Sequence, residues 1–85
     1  MVLLISCDLR KPDFNYQPLY DALAKLKANH VQDSVWGLRT VSSAEVVFDY
    51  LWQHVHNGKD RLFVVPFDKE QDYKSKNAIT LLKDL

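Results

Sequence analysis

Disulfides, glycine-rich flexibility, an excess of charge of one sign and long apolar runs are all missing from this 85-residue sequence. Cys7 is its one cysteine, which excludes an intramolecular disulfide and points to a reducing, cytoplasmic setting. Two glycines and three prolines are too few for a linker or a low-complexity chain. Eleven Lys and Arg residues offset eleven Asp and Glu, so no global positive field argues for strong nonspecific binding to nucleic acid. A local basic patch is compatible with that balance. The apolar run at 2–5 is far too short for a signal-peptide core or a membrane span, and Asp8, Arg10 and Lys11 follow at once.

What is present is enough to fold. Hydrophobic residues make up 47% of the chain, with two tryptophans, four tyrosines and four phenylalanines. The length allows one domain and one core, and a chain this short leaves much of its surface exposed, so it gains from association with a partner. A homodimer is the expectation.

Residues 2–7 form a short apolar run with β-branched members, closed by a polar, proline-containing stretch at 8–15, which reads as a strand and then a loop. Tyr16, Leu19, Tyr20, Leu23 and Leu26 recur at helical spacing over 16–29, with Asn15 as cap and Pro18 tolerated in the first turn. The β-formers of 30–41 are interrupted at Asp33-Ser34 and split into two hairpin strands. Ser42-Ser43-Ala44-Glu45 is a capping box that opens a second helix, whose apolar face is Ala44, Val47, Phe48, Leu51 and Val55 and whose stop is Asn57-Gly58. Residues 61–67 read as the last core strand. Ser75 caps a short final helix with Ala78, Ile79, Leu82 and Leu85 on its apolar side.

The order is strand, helix, strand, strand, helix, strand, with a tail helix. This is the split βαβ pattern of a ferredoxin-like α+β fold: βαββαβ, an antiparallel sheet with two helices on one face, plus a short C-terminal helix. Residues 1–67 make the core, and 68–85 a polar connector and helix of the same domain. The first and last strands are apolar at odd and even positions alike, with Leu62, Phe63, Val64 and Val65 as the clearest case. Something must therefore cover the second face: the tail helix, a second subunit, or both.

Three segments resemble, in order and spacing, the CRISPR-associated Cas-two endonuclease superfamily. They are Ile5-Ser6-Cys7-Asp8-Leu9, Val31-Gln32-Asp33-Ser34-Val35-Trp36 and Asp60-Arg61-Leu62-Phe63-Val64-Val65-Pro66. Within it the sequence is most similar to the small SinR-like relatives, through Asp8-Leu9-Arg10-Lys11-Pro12 and Asn15-Tyr16, over roughly residues 2–67. The resemblance implies a ferredoxin-like homodimer related to VapD-type toxin ribonucleases. It also implies that Asp8, at the end of the first strand, meets its dimer mate and holds Mg²⁺ for attack on a phosphodiester. The pattern departs where Cys7 stands in place of an aromatic, where Gly37-Leu38 replaces a glutamate-glycine, and where a helix stands in place of an extra final strand.

Mg²⁺ takes carboxylate oxygens and retained waters, so one Asp8 from each subunit makes a minimal metal and catalytic site; otherwise Asp8 caps its loop. Arg10, Lys11 and, from the hairpin, Arg39 are candidate phosphate contacts, as is Ser34, whose other role is in the hairpin turn. His54 and His56 are two apart and share no helix face, unlike a zinc pair at i, i+4. Cys7 reads as a small core residue, and Trp36 and Tyr16 as core or dimer contacts. Two function classes stay open: a homodimeric Mg²⁺-dependent nuclease, and a catalytically silent dimeric accessory module that binds protein or nucleic acid.

Overall fold

Four antiparallel strands and two helices arise from the alternation and spacing just described. The computed structural model describes residues 1–68, 70 and 73–85. Its elements are β1 (Val2–Asp8), α1 (Gln17–Lys25), β2 (Asn29–Gln32), β3 (Val35–Arg39), α2 (Ala44–Trp52) and β4 (Arg61–Phe67). The sheet order is β2-β3-β1-β4. Because β3 is antiparallel to both β1 and β2, β1 and β2 run parallel with β3 inserted between them. β4 lies on the other side of β1 and forms an edge.

Strand alternation sorts the side chains onto two faces. Leu3, Ile5 and Cys7 point toward the helices and join Leu19, Ala22 and Leu23 of α1 and Val47 and Leu51 of α2 in the main core, with Trp36 and Leu38 from β3. Val2 points the other way and packs with Val31, Leu82 and Leu85, against which Leu4, Val35, Phe67, Tyr73 and Ala78 also lean. The chain after β4 therefore covers part of the second face, as the doubly apolar strands require.

That cover is not the expected helix. Only a 3₁₀ turn forms, at Leu82–Asp84. Asn77 takes a left-handed φ of 58°, and the Ile79 amide donates to the Val31 carbonyl at 2.8 Å, which draws the backbone along β2 and away from helical pairing. Ile79, expected on an apolar helix face, is 61% exposed.

Both helices are shorter than the periodicity suggested. α1 stops because Lys27 adopts φ 60°, with the Lys27 amide on Ala24 O and the Ala28 amide on Leu23 O. This is the Schellman closure with lysine where glycine is usual, so composition gave no stop signal. α2 is capped by Ser43, whose Oγ accepts from the Val46 amide at 3.2 Å. The cap is thus one residue later than the Ser42–Glu45 box implied. α2 ends at Trp52, before Asn57-Gly58, yet Val55 in the following turn is still buried.

Candidate functional site

The carboxyl end of β1 gathers most of the polar groups that the sequence singled out. Asp8 is the last residue of β1 and pairs across the sheet with Arg61, the first of β4. Arg10 and Lys11 lie in the loop that leaves β1. The Asp33-Ser34 turn closes over the same end, because the Cys7 amide donates to the Ser34 carbonyl at 2.9 Å. Arg39 lies elsewhere: it pairs with Val2 at the opposite end of β1. Six residues of strand, about 20 Å, separate it from Asp8.

Asp8 is half exposed, and its Oδ2 receives two guanidinium groups, Arg10 Nη1 and Arg61 Nη1, each at 3.4 Å. Lys11 Nζ reaches Asp13 Oδ1 at 3.0 Å. Ser34 is exposed and borders a shallow cleft with Gln32, Val35, Lys76 and Ile79. Among the described residues, no three His, Cys, Asp or Glu side chains come together as a metal-binding group. The chain by itself therefore presents one carboxylate engaged by two arginines, and a Mg²⁺ ion at Asp8 would need a further carboxylate from a second copy.

Behind this surface lies a second carboxylate that sequence reasoning did not single out. Asp60, in the turn before β4, is 6% exposed. Its Oδ1 accepts from the Arg10 amide at 2.7 Å and from the Tyr16 hydroxyl at 2.6 Å. Its Oδ2 accepts from the His56 amide at 2.7 Å. Burial works to raise the Asp60 pKa, and the hydrogen bonds from Arg10, Tyr16 and His56 outweigh it, so the net direction is downward. Tyr16 moves the other way, raised by burial and by its hydrogen bond to Asp60.

Cys7 points into the core beneath this cluster. Burial, followed by the nearby Asp60 carboxylate, pushes its thiol up to about 11, so at neutral pH it is a protonated core residue with no nucleophilic character. Trp36 is likewise buried and stacks on His30, with ring centroids 4.6 Å apart. His56 lies edge-on to Phe14, and His54 edge-on to Tyr50.

Arg61 and Asp60 were both missed for the same reason: each acts through a cross-strand or cross-loop partner some fifty residues away. The signal for Arg61 was available, since pairing β1 with β4 antiparallel sets Asp8 opposite it. For Asp60, an aspartate in a turn carries no mark that it is buried.

No protein-family model matches the chain. Among solved structures, a hypothetical protein from Thermus thermophilus superposes with a TM-score of 0.68 over 93% of this chain and 94% of its own, at 18% sequence identity. The chain is thus similar in fold to that protein, an α+β arrangement of one four-stranded antiparallel sheet and two helices.

Proposed function

We propose that the chain is a small, self-associating module of ferredoxin-like architecture, similar to Cas-two and VapD-like proteins, whose β1 end contacts nucleic-acid phosphates without cutting them. The observation that carries this reading is the pair of arginines on one Asp8 oxygen. Arg10 and Arg61 are 53% and 74% exposed, and ion pairs this exposed contribute about 0–1 kcal/mol each. A phosphate, which accepts forked hydrogen bonds from guanidinium, displaces Asp8 at little cost. Asp8 then acts as a resident counter-ion that holds the two arginines together, and Lys11 follows Arg10 in sequence. The patch is local, in keeping with a chain of no net charge.

One observation favours a second reading, the homodimeric Mg²⁺-dependent nuclease. Strand alternation puts Asp8 on the same sheet face as Phe63, which is 59% exposed. Two copies packed through that face would bring their Asp8 carboxylates toward each other.

The two readings assign Asp8 opposite roles, so one substitution separates them. Anisotropy with short labelled single-stranded RNA and DNA, with and without Mg²⁺ or Mn²⁺, is the measurement. Removing a competing anion by Asp8→Ala tightens binding by about 2–5-fold, and Arg61→Ala weakens it by about 5-fold or more. A wild-type protein that binds neither strand overturns the phosphate-contact reading. Metal-dependent cleavage that disappears in Asp8→Ala overturns it as well and establishes the nuclease.

A further inference from the structure

The loop that carries Arg10 and Lys11 is fastened by its backbone to one buried carboxylate. The Arg10 amide donates directly to Asp60 Oδ1 at 2.7 Å. The Lys11 amide donates at 3.1 Å to the Tyr16 hydroxyl, which itself donates to the same Asp60 Oδ1 at 2.6 Å. The third bond, from the His56 amide to Oδ2 at 2.7 Å, ties the carboxylate to the turn after α2. Two consecutive cationic residues thus have their main chain held from behind, one in a single step and the other through a tyrosine.

We infer that Asp60 is a positioning residue for the phosphate-contact loop and Tyr16 its relay, so that the Arg10 and Lys11 side chains are presented in a preformed arrangement. The inference rests on the preceding reading for what the loop binds, but not for how the loop is held. A free loop of this kind loses conformational entropy each time it binds, and fixing its backbone in the folded state removes that cost from association. Burying a carboxylate is tolerable here because three donors converge on it.

A merely structural fastening would also hold two loops together, so the test needs a readout specific to Arg10 and Lys11. Amide hydrogen exchange by NMR supplies it, in Tyr16→Phe, which keeps the ring and removes the hydroxyl, and in Asp60→Asn, which keeps the shape and removes the charge. In Tyr16→Phe the Lys11 amide, which loses its acceptor, exchanges about 10-fold faster or more, while the Arg10 amide keeps its direct bond to Asp60 and those of Leu3, Ile5 and Leu51 keep their wild-type protection. Affinity for a labelled single-stranded oligonucleotide falls about 3–10-fold, with a shallower salt dependence as phosphate contacts are lost.

Asp60→Asn, which weakens the direct bond as well, extends the faster exchange to the Arg10 amide, and Tyr16→Phe keeps the test decisive should Asp60→Asn fail to fold. Wild-type exchange at Lys11 in a folded Tyr16→Phe overturns the inference, as does uniform loosening across the core. Faster loop exchange in a protein that binds no oligonucleotide upholds the positioning role and removes only the phosphate-contact reading.

Discussion

The two faces of the sheet are closed by different means. On the helix side, eleven buried residues form a continuous core that includes Leu3, Ile5, Leu19, Leu38 and Leu51. On the other side only four, Val2, Val31, Leu82 and Leu85, are fully buried among the described residues, and the cover stops short of the middle of β4. A helix satisfies its own backbone and can lay an unbroken apolar stripe on a sheet. Among its described residues, the chain after β4 has one 3₁₀ turn and finds partners strand by strand, as Ile79 does on Val31, so it delivers isolated anchors. The first face stands as an independent core, and the second has an open rim.

The largest effect that sharpens this contrast is expected at Leu51, which is 0% exposed in the centre of the helix-side core. Leu51→Ala destabilises by about 3–4 kcal/mol, because packed helices cannot collapse into the space left. In a domain this small, that lowers the melting temperature by more than about 12 °C. Leu85→Ala, in the four-residue buried cluster of the other face, costs about 1–2 kcal/mol, since fewer buried neighbours surround the space left. Circular-dichroism melting of the two variants decides the matter. An equal loss for both would mean that the faces are equally well packed.

A smaller effect probes how Leu85 is seated. Gly37 lies on β3 directly beneath it, and a side chain at Gly37 would run into the Leu85 Cδ1 methyl. The glycine is there for close approach, so Gly37→Ala costs about 1–2 kcal/mol in the wild-type background. Combined with Leu85→Ala, the same substitution costs almost nothing, a coupling of about 1 kcal/mol in a double-mutant cycle from urea unfolding. Additive losses would show that the cover is not seated on Gly37.

The difference between the faces also marks where the sequence was legible. The continuous apolar run that begins after Arg61 placed β4 at its observed bounds, and the Asp33-Ser34 break divided the hairpin correctly, because both are local signals. The doubly apolar β1 and β4 imply a covered second face from composition alone. The identity of the cover was not local: Ala78, Leu82 and Leu85 sit at helical spacing yet are drawn into contact one at a time by the sheet. The candidate site divides in the same way. Asp8 and Arg10 pair because they flank one strand end, with Lys11 next along the loop and the Ser34 turn bonded to the same end through Cys7. Arg39 does not join them, because its place depends on the register of β3 against β1. Asp60 escaped notice because only tertiary contact makes it a buried acceptor.

The smallest expected effect on folding is at the open rim, and it is the most informative for assembly. Phe63 is 59% exposed on edge strand β4, on the face that the terminal segment leaves bare, with half-buried Val65 two residues on. An apolar edge strand is an association site unless it is blocked, and with no net charge the chain has no repulsion to block it. Phe63→Lys therefore changes monomer stability by no more than about 0.5 kcal/mol, while it abolishes the self-association proposed above. Val41→Lys, at a fully exposed position between β3 and α2, leaves that association unchanged. Size-exclusion chromatography with light scattering reads all three proteins. A wild type that runs at the mass of one chain at high micromolar concentration would show that the uncovered half of the second face tolerates water, and that the asymmetry between the faces has no role in assembly.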